Sequence, residues 1–286
     1  MIKKSPLLLL IITILFLVSC QKEINWSTNG GSGTISPGNL LVKSVAKNGP
    51  ESVVTDYTYN TNKKIVNEKI TGISQGINAG NEVRYYRNAS GIIIRYVQIN
   101  PNLVAAGIDS VTTYVNYNAA SSRYISYVSE FGLFGFTVRD STAIIYNAGG
   151  KVSQAEQYQK VPFLGTGYEI SLRVKYMYDA KGNMTQQDFY SVDPVSMAED
   201  PVSTIKYTFD TRLAAIKFDN EAYAIGKPDY ISVNNPTKFE FIDINTPSNG
   251  FAINNIYTYN GNNKPATAVS TRTPGAVVNN ITFFYQ

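Results

Sequence analysis

The sequence contains no histidine and a single cysteine, Cys20, among its 286 residues. Without histidine the chain cannot form a Ser-His-Asp triad, a histidine proton shuttle or a histidine-ligated metal site. One thiol cannot form a disulfide within the chain, and it cannot build a zinc site from several cysteines. We therefore predict no cofactor and no metal site. An enzyme made from this chain would depend on carboxylates, lysine, tyrosine and serine.

Charged residues are also few, at 16% of the chain, and they nearly balance, with 25 Lys and Arg against 21 Asp and Glu. No basic run or stripe is present, and the charged side chains are scattered as on a solvated surface. Nucleic-acid binding needs a concentrated basic face. The sequence therefore predicts no nucleic-acid partner.

The first twenty residues differ from the rest, because a short basic region is followed by the apolar run PLLLLIITILFLV and then by LVSC. The run is short and close to the chain start, which is typical of a secretory signal. Residues 17–20 resemble the lipobox of bacterial lipoproteins. The resemblance implies cleavage between Ser19 and Cys20 and acylation of Cys20, for instance with palmitate. An ordinary secretory peptide is the alternative.

Gly, Ser, Asn and Pro dominate the segment after Cys20, and this composition predicts a flexible tether over residues 20–39. Residues 40–286 then form a single domain. Lipid on Cys20 would hold this domain at the outer membrane, on its periplasmic side or at the cell surface. The membrane is therefore the first predicted partner.

One pattern recurs along residues 40–286, consisting of an aromatic residue, a spacer, a second aromatic residue and then Asn or Asp. Five of the six intervals between successive second aromatics are close to thirty residues, and the last is 50. Regular spacing of this kind indicates a structural repeat. The second aromatics are Tyr59, Tyr86, Tyr117, Tyr146, Tyr178, Phe209 and Tyr259.

Each unit has the pattern of a β-hairpin. In SLRVKYMYD, apolar and polar residues alternate with period two, which is typical of a half-buried strand. Asx at the first position and Gly at the fourth then predict a type I turn. Such turn pairs are Asn88 and Gly91, Asn147 and Gly150, and Asp179 and Gly182.

Six or seven such hairpins predict an all-β fold, a long antiparallel up-and-down meander of about 12–16 strands that is strongly twisted and barrel-like. Asn235-Pro236 is predicted to be a further turn, since proline cannot donate to a strand ladder.

The aromatic-x-aromatic-Asp/Asn-x-x-Gly units resemble YD-type repeats. Together with NNPTK at 234–238, YTYNGNNKPATAV and the aromatic ending ITFFYQ, they resemble a Bacteroidota lipoprotein family of unknown function with a porin-like fold. The resemblance implies a barrel-like meander and no particular activity. A transmembrane β-barrel is an alternative, because one face of each strand is apolar.

In a meander the Asn and Asp turns share one end of the sheet, so the loops between units share the other. Those loops are rich in apolar residues. They predict a binding mouth, a partner surface or a membrane contact, unless they fold inward and close the barrel. The candidate rim residues are Leu103, Val104, Leu133, Phe134, Phe163 and Leu164.

These patterns favour a non-catalytic binding or structural module, with a glycan, a lipid or an envelope protein as the partner. The 21 tyrosines make glycan binding at the cell surface one alternative. A glycosidase, which needs two converging carboxylates, is the least favoured alternative. Its candidate carboxylates are Glu156, Glu169, Asp179 and Asp188.

Overall fold

The computed structural model of the protein describes residues 40–105, 107–133, 136–160, 167–218, 220–275 and 277–286. The predicted signal peptide, the lipidation site Cys20 and the tether lie outside the described residues. So do Phe134, Phe163 and Leu164 of the predicted rim.

The described chain is built almost entirely of antiparallel strands. Their bounds are β1 Leu41–Asn48, β2 Glu51–Tyr59, β3 Ile65–Ser74, β4 Ile77–Asn78, β5 Asn81–Arg87, β6 Ile93–Ile99, β7 Val111–Asn118, β8 Arg123–Leu133, β9 Phe136–Tyr146, β10 Val152–Lys160, β11 Glu169–Tyr178, β12 Met184–Val192, β13 Glu199–Leu213, β14 Asn234–Asp243, β15 Phe251–Tyr259, β16 Pro265–Thr273 and β17 Val278–Tyr285.

Each strand pairs with its neighbours in sequence, apart from the two-residue β4, which only extends the end of β3. The last strand then returns to the first, with Leu41 opposite Tyr285. Sixteen strands thus form a closed up-and-down barrel. The predicted all-β meander is confirmed, at the upper limit of the predicted strand number.

Among the described residues, helical structure is confined to short connections. The helices are α1 Pro101–Ala105 and α2 Glu221–Ala224, and two 3-10 turns span Pro228–Ile231 and Pro247–Asn249. Within the described ranges, no helix has the length and apolar character needed to cross a membrane.

The Asx turns lie together at one end of the barrel, which we call the turn end; the opposite end is the loop end. In each turn the Asx side chain accepts backbone hydrogen bonds from residues ahead of it, as Asp179 Oδ1 does from the N–H groups of Lys181 and Asn183, both at 2.9 Å. Gly182 has φ +93° and donates its N–H to the carbonyl of Asp179. Asn88 with Gly91 and Asn147 with Gly150 repeat this geometry.

In three of the units the tyrosine that precedes the Asx joins its hairpin to the strand before it. The hydroxyl of Tyr146 donates to the carbonyl of Tyr124 at 2.8 Å, and that of Tyr178 donates to the carbonyl of Val152 at 2.7 Å. Tyr59 makes the equivalent bond to Leu41 at 2.6 Å. In each case the acceptor lies at or next to the turn-end terminus of the preceding strand. These bonds account for the tyrosine at that position in these three units.

The prediction that Tyr86 is the second aromatic residue of its repeat unit, equivalent to Tyr59, Tyr146 and Tyr178, was wrong. Tyr86 faces outward beneath the guanidinium of Arg95, 4.2 Å from its ring centre, because Asn88 is preceded by Arg87. Arg87 occupies the inward position and donates to the carbonyl of Ile65 at 3.2 Å, as the tyrosines do elsewhere. Alignment of the repeats on the Asx residue, instead of on the aromatic residue, would have identified this exchange.

The long final interval of the repeat contains a segment that folds into the barrel. Residues 214–233, described except for residue 219, connect β13 to β14 and form what we call the plug. Most of their apolar side chains are buried, and the largest are Phe218, Tyr223 and Tyr230. The plug contributes to the same hydrophobic core as the inward faces of the strands.

Three polar side chains at the turn end fasten the plug to the wall. Arg87 forms a bidentate ion pair with Glu221, with N–O distances of 2.7 and 2.9 Å. The ammonium of Lys264 donates to the carbonyl of Ala214 at 2.9 Å. Asn183 accepts the N–H of Val233 at 2.9 Å. The plug therefore closes the turn end of the barrel.

The predicted turn at Asn235-Pro236 was also wrong, since both residues lie within β14. The ladder between β13 and β14 is irregular there, with register shifts on both sides of Phe209. A proline is tolerated at such a bulge because no ladder hydrogen bond is required of it. The carbonyl of Pro236 instead accepts the hydroxyl of Tyr257 at 3.1 Å.

Gly72 is required by the ladder between β2 and β3. It has φ +124°, and an added Cβ would overlap the carbonyl oxygen of Ser52 on the paired strand. Gly72→Ala is therefore expected to lower the free energy of unfolding by about 3 kcal/mol in urea titrations, since both the strained φ and the backbone overlap add cost. Gly76→Ala is the control, because that site has φ +75° but no atom within 4 Å of the Cβ position, and it should cost about 1 kcal/mol. Equal losses of unfolding free energy for Gly72→Ala and Gly76→Ala would contradict the overlap with the carbonyl oxygen of Ser52.

Candidate functional site: an internal cavity

A cavity of about 480 Å³ lies inside the barrel, between the plug and the loop end. Its volume is in the range of pockets that bind small molecules. The lining includes inward-facing side chains from β5 to β15 and one face of the plug. The strands provide a rigid wall, because each of the sixteen barrel strands is paired on both sides.

One part of the wall, on β7 to β10, is polar; we call it the polar arc. Its members lie side by side in the strand registers, with Thr113 opposite Ser129, Ser129 opposite Asp140, and Thr142 opposite Gln157. The hydroxyls of Thr113 and Ser129 are hydrogen-bonded at 2.9 Å.

Asp140 is the charged member of the polar arc. It is 7% exposed, and its Oδ1 atom has no hydrogen-bond partner among the described residues. Burial raises the pKa of this carboxyl to about 6, although hydrogen bonds from the side chains of Gln159 and Gln157 act in the opposite direction. At neutral pH the cavity therefore contains an ionised carboxylate with a free acceptor site.

A second part of the wall, on β12 to β15, is aromatic; we call it the aromatic arc. Phe239 packs edge-on against Tyr207 at 5.6 Å between ring centres, and Phe251 contacts both Phe239 and Phe241 at 5.7 and 5.6 Å. Phe189 completes this surface. Rings of this kind offer broad apolar contact to a ligand.

The plug forms the floor of the cavity. Lys227 forms a buried ion pair with Glu68 of β3, which also accepts the hydroxyl of Tyr85 at 3.3 Å. Since Glu68 offsets its charge, Lys227 does not neutralise Asp140. Asp229, also on the floor, adds a second carboxyl to the lining.

Asp140 makes a pH-dependent contribution to stability. Its pKa is higher in the folded chain than the ordinary value near 3.9, so the folded state holds the proton more tightly and stability falls as pH rises from about 4 to about 6. Asp140→Asn cannot ionise and is expected to be more stable than the parent by about 2 to 3 kcal/mol at pH 7.5, with little difference at pH 4. Urea unfolding at both pH values measures the effect, and Asp56→Asn on the outer wall should change little at either. A gain that is equal at pH 4 and pH 7.5 would contradict the burial of this carboxyl.

The predicted apolar rim is only partly described. Leu103 of α1 folds inward, where it packs with Ile108, Phe131 and Val138, whereas Val104 remains 44% exposed. Leu133 is the last residue of β8. Other strand ends and connections at the loop end carry further exposed apolar side chains, namely Ile73, Ile77, Tyr168, Val195, Met197 and Ile244.

The carboxylates considered for a glycosidase have other surroundings. Glu156 is on the outer wall with Arg173, at 2.7 Å, and Asp188 accepts the hydroxyl of Thr204 at 2.7 Å. Asp179 is a turn residue, and Glu169 is exposed at the start of β11. None of the four, all within the described ranges, is among the residues that line the cavity.

Two features of the cavity were not anticipated from the sequence. Asp140 shares its strand face with Val138, Thr142 and Ile144, so strand alternation alone could have indicated a carboxylate on an inward face. The only sign of the plug was the 50-residue interval between Phe209 and Tyr259, which the hairpin repeat does not explain.

Two solved structures resemble this fold. A porin-like protein from Bacteroides vulgatus has 11% sequence identity and a TM-score of 0.51, with 87% of this chain and 99% of that chain covered. A porin-like protein from Bacteroides uniformis has 10% identity and a TM-score of 0.50, with the same coverage. At such low identity the likeness concerns the fold alone. The chain therefore has a porin-like β-barrel fold.

No protein-family profile matches the chain, and no curated protein matches it.

Proposed function

We propose that this protein is a non-catalytic binding barrel of the bacterial cell envelope, which takes up a small amphiphilic molecule through its loop end. The cavity of about 480 Å³ carries this proposal. A purely structural barrel would gain stability from a filled interior, because an internal void forfeits packing contacts. A retained cavity that is aromatic on one side and polar on the other suits a ligand with both kinds of surface.

The loop end provides the access route in this proposal. The plug fills the turn end, so a ligand would reach the cavity from the opposite side. Exposed apolar side chains such as Ile77, Val104 and Val195 occur on loop-end connections, where they can make the first contact with an amphiphile.

We infer that the outer wall faces water and not lipid. Arg84 and Arg173 lie midway along β5 and β11 on the outer face, where they pair with Glu82 and with Glu156. Charged side chains at the mid-height of a lipid-facing wall are costly, at about 2 to 4 kcal/mol each for arginine. A secreted chain carrying Cys20→Ser should therefore remain soluble and monodisperse without detergent, and a requirement for detergent would contradict this inference.

Attachment to the outer membrane would come from lipid on Cys20, as the sequence of residues 17–20 indicates. Metabolic labelling with an alkyne analogue of palmitate tests this part separately. The parent chain should carry the label and Cys20→Ala should not. Equal labelling of the two would refute anchoring through Cys20 and leave the binding proposal intact.

A neutral, environment-sensitive dye tests uptake into the cavity. N-phenyl-1-naphthylamine is expected to bind the Cys20→Ser chain saturably, with one molecule per barrel and a blue-shifted emission. Ala155 lines the cavity, so Ala155→Phe should reduce the affinity at least tenfold by filling that space.

Ala143→Phe is the matched control, since Ala143 lies on the neighbouring strand β9 but outside the cavity lining, and it should bind as the parent does. Binding that is unaffected by Ala155→Phe, or no binding by the parent, would refute the proposed function.

A further inference from the structure

The buried carboxyl of Asp140 indicates which charge a ligand of the cavity would carry. It lies in the loop-end half of β9, between Ser129 on β8 and Gln159 on β10 in the strand registers. Its neighbours supply hydroxyls and amides and no cationic side chain. A buried carboxylate is normally paired, because an uncompensated buried charge is costly. The unpartnered Oδ1 atom therefore marks a place where a donor from outside the chain would be stabilised.

The remaining charges around the cavity favour a cation over an anion. Asp140 and Asp229 line it, and Lys227 is offset by Glu68. The faces of Tyr and Phe rings attract cations, and within the aromatic arc the ring of Phe251 already stacks with the guanidinium of Arg272 at 4.2 Å, which leaves the other rings for a ligand. An anionic ligand would meet the carboxyl of Asp140, and the basic side chain in the described lining, Lys227, is already paired.

Resting on the proposed function, we infer that the ligand of this cavity is a protonated amine with an apolar or aromatic body. Its ammonium group donates a hydrogen bond to Asp140, and its body lies against the aromatic arc and the plug. A charge-assisted hydrogen bond in a site removed from water is among the stronger polar contacts a barrel can offer.

Three dansyl probes that differ only in their end group test this inference. Dansylcadaverine ends in a primary amine, and its two counterparts end in a hydroxyl and in a carboxylate. On the Cys20→Ser chain at pH 7.5, fluorescence titration should show the amine binding at least tenfold more tightly than the alcohol, with the carboxylate weakest. Equal affinities for the three probes would overturn the inference.

Asp140→Asn supplies the second arm of the experiment. It should reduce the affinity for the amine to that for the alcohol and leave the alcohol unchanged, whereas Asp56→Asn on the outer wall should bind all three probes as the parent does. An amine preference that survives in Asp140→Asn would overturn the assignment of this residue.

Acidification gives a readout that needs no variant. The titratable groups that share the cavity with Asp140 are the following: on the strands Tyr96, Tyr127, Tyr176 and Tyr207, and on the plug Tyr223, Tyr230, Asp229 and the paired Lys227. Between pH 7.5 and pH 5 the amine preference should fall several-fold as Asp140 takes up a proton, while alcohol binding stays constant. A preference that does not change with pH would count against the inference.

The two proposals fail differently. If the neutral dye binds and the amine is not preferred, the cavity is a binding site for another class of ligand. If neither the neutral dye nor any dansyl probe binds, the proposed function itself is refuted.

Discussion

Replacing Arg87 by alanine is expected to lower the free energy of unfolding by about 3 to 5 kcal/mol, because the change leaves the largely buried carboxylate of Glu221, whose side chain is 13% exposed, without its partner. The side chain of Arg87 is 5% exposed, and it holds the plug through both oxygens of Glu221. It also donates to the carbonyls of Ile65 and Gly91, so the same change removes hydrogen bonds within the wall. Urea unfolding followed by circular dichroism measures the loss.

The outer-wall pair between Arg84 and Glu82 is the matched control for this prediction. The side chain of Arg84 is 50% exposed, so Arg84→Ala should cost less than about 1 kcal/mol. The double variant Arg87→Met with Glu221→Leu should recover part of the loss, because it removes both buried charges together. If Arg87→Ala costs no more than Arg84→Ala, the ion pair does not fasten the plug.

Phe218→Ala is expected to cost about 3 to 5 kcal/mol, the usual range for deleting a buried aromatic ring. Phe218 stacks on Tyr230 with ring centres 5.5 Å apart and also contacts Tyr85 of β5 at 6.1 Å. It therefore links the plug internally and joins it to the wall. Thermal unfolding monitored by tyrosine absorbance would report the change as a lowered midpoint.

Phe284 provides the comparison, since it lies on the outer face of β17 and is 45% exposed. Phe284→Ala should change the stability by less than about 1 kcal/mol. Comparable losses for the two variants would mean that the plug is not part of the core. Hydrogen exchange adds a local test, because Phe218→Ala should speed exchange of the Ala222 and Ile225 amides more than that of β2 or β9.

The hairpin architecture was predictable because its signals are local. An Asx residue followed three positions later by glycine specifies a turn, and strand alternation specifies which face is buried. Turns such as Asp179–Gly182 therefore lie where the sequence indicates them. Closure into a barrel was also predictable from the sequence. An open meander of this length would leave its first and last strands unpaired, and its twist allows these two edges to meet and pair.

The plug and the cavity depend on tertiary context and could not be predicted in the same way. The helix α2 has only four residues and cannot show a helical period, and the apolar residues beside it form no strand alternation. The exchange of tyrosine for Arg87 is visible in the sequence, but its reason is not, because its partner Glu221 is 134 residues away. Whether Asp140 is paired depends on what faces it across the barrel, which alternation along one strand does not reveal.

The seam between β1 and β17 has a consequence for how the chain folds. Leu41 and Tyr285, which meet there, are separated by nearly the whole domain, and the backbones of Leu40 and Gln286 are hydrogen-bonded just beyond them. During synthesis, every earlier strand can pair with its neighbour in sequence while the free edge of β1 stays unpaired. Exposed edges of this kind recruit other chains, and distant pairings form slowly. The newly synthesised polypeptide is thus most vulnerable to aggregation in the interval before its final eight-residue strand pairs with β1.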